Sequence, residues 1–253
     1  LGISVQWRSV LLALADASGN IRRHGWLAHQ GGSASDVLHA AVAEARSLVA
    51  SVDGADDRVC AVGLSVLGRV DRLAQRVDHT IAWDDTDVLA AAEIEAMTGW
   101  PVRLDSAPRA TARAEVARDY RGLIAVLYFS HDPYLILVDD GHVLEGRRGT
   151  SGELAHLPVP GADGRCRCGR VGCMATVVSA SMLVERFRRE SGRAVRAAPE
   201  VIDAAREGSE EAKAALDEFS RTTARTTAMM LGYLDPQRLI ITGLVGGPES
   251  RGA

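Results

Sequence analysis

Three cysteines within eight residues, Cys166-Arg-Cys168-Gly-Arg-Val-Gly-Cys173, follow His156 by ten positions and constrain this chain more than any other feature. Thiolates and an imidazole suit one tetrahedral ion, and a glycine-punctuated loop can wrap such an ion without strain. Gly169 and Gly172 permit the tight turns that the wrapping needs. One His and three Cys fill the shell and leave no open position for a catalytic water, so the expected site is structural. A set of plain thiols, or a disulfide, is the other reading of the same residues. The fourth cysteine, Cys60, lies in the apolar run 59–66 and reads as an inert core thiol.

Hydrophobic patterning lays out two similar halves. Residues 2–5 and 9–14 read as short strands, Asp16-Ala-Ser-Gly-Asn20 as a turn, and residues 21–28 as a third strand. Val37, Leu38, Ala41, Val42, Ala45, Leu48 and Val49 recur at helical spacing behind a cap at Ser33 or Ser35. A buried strand over 59–66 and an amphipathic helix over 88–97, stopped by Gly99 and Pro101, come next. A strand over 102–104 and a helix over 110–117 close this half. The second half opens with strands over 123–129 and 134–138 and an Asp139-Asp-Gly141 turn. Beyond the cysteine loop lie helices over 182–189 and 210–231, the latter with Ala212, Leu216, Phe219, Thr223 and Met230 on one stripe. A strand over 239–242 leads into Gly243, Gly246 and Gly247. This shared order predicts an α/β chain of two lobes with a cleft between them, dividing near residues 105–120. The N-terminal lobe is then residues 1–106, and the C-terminal lobe, with the metal loop, residues 107–253.

The chain carries 29 basic and 33 acidic residues, a net charge of −4. No electrostatic footprint for nucleic acid spreads over it, so any DNA contact falls to another segment. No apolar run reaches the roughly 18 residues of a membrane span, and no signal-peptide pattern opens the chain. Clustered thiols fit a reducing compartment, which gives an expected cytoplasmic location and no membrane partner. Strand-like sequence begins at residue 2, so upstream sequence is expected.

The segment Gly152-Glu153-Leu-Ala-His156, followed by Cys-x-Cys-Gly-x-x-Gly-Cys, resembles the signature of the ROK family (repressors, open reading frames, kinases). The resemblance extends over most of the chain by order and spacing. It implies a two-domain, actin-like ATPase fold, of the sugar kinase-like and ribonuclease H-like kind. It also implies a structural zinc on His156, Cys166, Cys168 and Cys173, with Glu153 and His156 facing a sugar. Read alone, Glu153 is equally a loop carboxylate in water. Homodimers, or higher homo-oligomers, are the assembly that the resemblance implies.

The chain departs from the family's kinases where phosphoryl transfer needs amides, a metal carboxylate and a base. Their Asp-x-Gly-Gly-Thr turn is here Ser4-Val-Gln6-Trp7-Arg8. Their Gly-Thr-Gly hairpin is Ser130-His131-Asp132-Pro133-Tyr134, in which Pro133 lacks an N–H. Their catalytic base falls on Ala107; a register shifted by two would place Asp105 there, although Asp105 reads as a cap of the following helix. Thr80 stands for a sugar-binding Asn and Ala175 for a Glu. Only Gly243-Leu-Val-Gly-Gly247 partly keeps a phosphate turn. Loss of a general base alone typically costs about 10²- to 10⁴-fold in rate. The resemblance therefore implies the effector-binding and oligomerisation domain of a ROK transcriptional regulator, without catalytic residues. Operator DNA would be reached through a helix-turn-helix outside this chain, with a sugar or sugar phosphate as effector. The alternatives are an ATP-dependent hexose kinase with an atypical site and a stand-alone sensor.

Overall fold

A computed structural model describes residues 1–52, 59–116, 120–146 and 150–243. They divide into two compact units, Leu1–Thr111 with Glu145–Thr150, and Ala112–Leu144 with Ser151–Ala253.

In the first unit, β1 (Gly2–Val5), β2 (Ser9–Ala15) and β3 (Ile21–Ala28) form an antiparallel meander. β4 (Val62–Val66) lies parallel to β1. β5 (Gly68–Asp71) and β6 (Arg76–Thr80) make a separate hairpin. β7 (Val102–Ser106) pairs parallel with β4, giving the sheet order β3-β2-β1-β4-β7. The pleat sends alternate side chains to one face. Val10, Leu12 and Leu14 of β2 join Ile3, Val5, Leu64 and Leu104 in the core. Helix α1 (Ala34–Ala50) buries the seven apolar residues that its spacing predicted, behind a Ser33 cap that accepts the Asp36 N–H at 3.1 Å. Helix α2 (Ala90–Thr98) ends where Gly99 turns left-handed at φ 73° and donates to the Glu95 carbonyl. Fully burying each Val, Leu or Ile here contributes about 1.5 to 3 kcal/mol.

Helix α3 (Ala107–Val116) follows β7 directly. The second unit repeats the order of the first. β8 (Leu123–Phe129), β9 (Pro133–Asp139) and β10 (His142–Val143) are antiparallel. Helices α4 (Ala180–Ser191), α5 (Ala198–Arg206) and α6 (Glu210–Leu234) come next, and β11 (Arg238–Gly243) pairs parallel with β8. Its core joins Leu127, Phe129, Leu135, Leu154 and Met174, and the Phe129 and Phe219 rings lie 5.7 Å apart. Among the described residues no helix is long and apolar enough to cross a membrane.

Several expectations need correction. The strand expected over 59–66 begins at Val62, and Cys60 is exposed rather than buried. β4 starts where it can pair with β1 and β7, which leaves Cys60 in the lead-in, near the N-terminus of Leu1. The helix expected from residue 110 begins at Ala107, because Pro108 sits in its first turn, where the missing N–H has no intrahelical partner to lose. Asp105 lies within β7, two residues before that helix, and its carboxylate accepts the Ser106 N–H at 2.8 Å. The helix over 182–189 runs from Ala180 to Ser191. Helix α5 and the β5–β6 hairpin had no counterpart in the sequence reading. Residues 244–247 of the expected phosphate turn lie outside the described residues.

Candidate functional site

The backbone brings the cysteine loop to the second unit's sheet through Gly152. The Leu135 N–H of β9 donates to the Gly152 carbonyl at 2.8 Å. Gly152 has φ 90°, and a Cβ there would lie 2.5 Å from the Leu135 carbonyl oxygen. Only glycine suits both the conformation and the approach. Glu153 then leads into a 3₁₀ turn, Leu154–His156, whose Leu154 and Ala155 are buried and whose end presents His156. The arms of the loop close as Val159 N–H donates to the Gly172 carbonyl and Met174 N–H to that of Leu157, both at 2.8 Å. Between them the Cys166 N–H donates to the Arg170 carbonyl at 2.8 Å, making the tight turn in which Gly169 adopts φ 88°.

This framework brings all four expected ligands together. Donor atoms of His156, Cys166, Cys168 and Cys173 lie within 4.8 Å of one another. His156 Nδ1 is 3.7 Å from Cys166 Sγ, and Cys168 Sγ is 3.6 Å from Cys173 Sγ, so the thiols form no disulfide. A tetrahedron of thiolates about 2.3 Å from an ion has edges of about 3.8 Å, close to these separations. The donor set and its spacing fit a metal ion. Cys166 and Cys173 are buried and Cys168 is exposed.

The thiols are not equivalent before a metal binds. Hydrogen bonds from the Arg170 N–H and guanidinium, with smaller ones from Cys166 and Cys173, lower the Cys168 pKa to about 6. Burial, and hydrogen bonding to its neighbours, raises Cys173 to about 11. At pH 7 the metal-free protein should therefore react with iodoacetamide at Cys168 first, at least about tenfold faster than at Cys173. Bound metal should protect both. Peptide mapping after timed alkylation reads the ratio, and equal rates would contradict this order of ionisation.

The hairpin tip beside the loop is charged. Asp132 is buried and pairs with Arg167, which lies between the first two cysteines of the loop. Burial lowers the His131 pKa, opposed by the Asp132 charge and aided by Arg167. Burial raises Tyr134, and the negative charges of Asp132 and Glu153 add to the effect. Glu153 is half-buried.

The positions that the resemblance matches to the kinases' phosphate, base and sugar groups include several side chains engaged within the chain. Ser4 Oγ accepts from Gln6 Nε2 at 2.7 Å and from Ser65 Oγ at 2.9 Å, while the Arg8 guanidinium lies 5.0 Å from the Trp7 ring centre. Thr80 is buried; its hydroxyl donates to the Leu67 carbonyl at 2.7 Å and accepts the Ala82 N–H at 3.1 Å. Asp105 Oδ1 accepts from Arg109 Nε at 2.6 Å and from the Ser106 N–H at 2.8 Å. Ala107 is buried at the start of α3 and Ala175 sits in a 3₁₀ turn.

One feature of the second unit escaped the sequence reading. A cavity of about 330 Å³ lies among Phe129, His131, Ala180, Phe219, Thr227 and Leu231, apart from Glu153 and His156. The Thr227 hydroxyl on its wall is buried with no hydrogen-bond partner among the described residues. Its lining comes from β8, the β8–β9 turn, the start of β9, α4, α5, α6 and β11, so no local motif announces it.

Known proteins divide between two roles on this framework. The chain is 25% identical over 210 residues to the DNA-binding transcriptional repressor Mlc of Escherichia coli (strain K12), covering 78% of this chain and 50% of the repressor. It thus spans half the length of that relative. The crystal structure of a ROK family transcriptional regulator, a homologue of the E. coli Mlc protein, superposes with a TM-score of 0.81 at 22% identity, over 94% of this chain and 63% of that one. A ROK family glucokinase from Streptomyces griseus, in complex with glucose and AMPPNP, gives 0.80 at 20% identity, over 96% and 82%. These likenesses establish the actin-like ATPase fold that the family resemblance implied. The ROK family model matches residues 1–250, and with the metal-loop signature assembled as its spacing required, the chain belongs to the ROK family.

Proposed function

We propose that this chain is the effector-binding and oligomerisation domain of a ROK transcriptional regulator that has lost kinase activity and holds a structural zinc. The observation that carries the reading is the engagement of the kinase-like positions. Thr80 and Asp105 hydrogen-bond within their own unit, Ala107 cannot take a proton, and the hairpin tip presents Asp132 and Pro133 where amide donors would meet phosphate. Proline has no N–H to offer an anion, and the Asp132 carboxylate is buried and already paired with Arg167. The Mlc repressor is an example of the regulator role on this fold. DNA contact belongs, on this reading, to a helix-turn-helix outside residues 1–253. Glu153 and His156 are the proposed contacts for a sugar or sugar phosphate, and a homodimer the proposed assembly.

Zinc is the favoured ion because three thiolates and one imidazole make a closed, four-coordinate shell. His156, Cys166, Cys168 and Cys173 would hold it, and its part is to fix the loop. Metal analysis of protein purified without chelator should give about one zinc per chain.

The glucokinase neighbour favours a second reading, a hexose kinase using Asp105 as base. An ATP phosphotransfer assay across a panel of hexoses and N-acetylated hexoses separates the two. No turnover above the protein-free background is expected. Turnover that Asp105→Ala abolishes would establish the kinase and overturn the regulator reading.

A further inference from the structure

We propose that the cysteine loop is a latch on the β8–β9 hairpin, with Arg167 as its bolt, so that metal occupancy sets the conformation of the hairpin tip and the start of α4. The inference rests on the metal reading above. Arg167 stands between ligands Cys166 and Cys168, so its backbone is fixed when both sulfurs bind one ion. Its guanidinium reaches back to Asp132, whose side chain is 5% exposed. A carboxylate this buried needs a charged partner or a route back to water. Without the ion, the Arg167 stretch loses its anchorage, and the tip must open to rehydrate Asp132.

The tip does not move alone. The His131 carbonyl, next to Asp132, accepts the Ala180 N–H at 2.9 Å at the first residue of α4. Ser179, also buried, caps that helix by accepting the Met182 N–H at 3.3 Å. Ser130, His131, Pro133, Ser179 and Ala180 all wall the cavity described above. One ion pair therefore joins the metal loop to a cavity wall made from two elements distant in sequence. A second tie of the loop to the hairpin, Leu135 to Gly152, is made by backbone on the far side of His156 and does not involve Arg167, and Leu154 and Met174 add apolar packing against Leu127 and Leu135.

Amide hydrogen exchange on the intact chain tests the latch, with the Ala180 and Ser130 N–H groups, which donate to the His131 and Asp132 carbonyls, as reporters. In zinc-loaded protein these amides should be protected, and chelation should speed their exchange by about tenfold or more. Arg167→Ala, still carrying one zinc per chain, should exchange at the chelated rate and respond to chelation less than about twofold. Arg167→Lys should restore part of the protection. Asp132→Asn, whose change lies outside the metal loop, should reproduce the Arg167→Ala behaviour with zinc in place. Wild-type protection in either zinc-loaded variant, or unchanged reporters on chelation of wild type, overturns the latch and leaves the metal reading standing. Purified protein that takes up no added zinc overturns both.

Discussion

Removing the metal should lower the thermal unfolding midpoint by about 10 °C. A ligand present at 100 to 1,000 times its Kd stabilises the folded state by about 2.7 to 4.1 kcal/mol. For a domain of this size, each kcal/mol moves the midpoint by about 2 to 4 °C. Cys168→Ser should have the same effect and lose the ion, while adding zinc back should rescue the chelated wild type and not the variant. The effect depends on pH with a definite sign. Cys168, held at about 6, is depressed below the ordinary thiol range. Every thiol must lose its proton to hold the ion, and Cys173 stands at about 11, so the stability that comes with the ion is lost progressively as pH falls and protons compete at all the ligands. Calorimetry at pH 7.5 and pH 5, with and without chelator, should give a large difference at the first and a small one at the second. Full zinc content in Cys168→Ser would show that another residue completes the shell.

The second large effect is expected at Arg109. Its side chain is 3% exposed, with Nε on Asp105 at 2.6 Å and Nη2 on the Val70 carbonyl at 3.1 Å. It thus ties the β7–α3 junction to the small β5–β6 hairpin. Arg109→Leu leaves Asp105 enclosed without its guanidinium partner, and breaking a buried pair from one side typically costs about 3 to 5 kcal/mol. Removing both charges is different, since an apolar pair of similar volume escapes the desolvation of either ion. Urea unfolding of Arg109→Leu, Asp105→Leu and the double variant should therefore show the double variant less destabilised than the sum of the two single variants, with a coupling of about 2 kcal/mol or more. Additive losses would mean that the pair is not coupled.

How far the sequence announced all this depended on how local each signal was. Helix α1 was legible because one stripe of seven apolar side chains and one Ser33 cap lie within its own residues. The metal ligands were legible for the same reason, since spacing on a loop fixes which sulfurs can meet. Cys60 misled because an apolar run says nothing about where parallel partners begin, and β4 begins only at Val62. The β5–β6 hairpin was illegible because it buries Val70 and Val77 among charged neighbours, leaving no alternation to read. Helix α5 lacks a Ser or Thr cap; Glu200 Oε1 instead accepts the Arg196 and Ala197 N–H groups. The pairings that matter most for the proposals, Asp105 with Arg109 and Asp132 with Arg167, are ionic choices among many available arginines, and only the fold selects them.

The four metal donors all fall between residues 156 and 173, whereas β8 must wait for residues 238–243 before its parallel partner exists. Closing a short loop costs little chain entropy, and contacts between near neighbours form early. During synthesis the ion can thus be captured while β11, the parallel partner of β8, is still unmade.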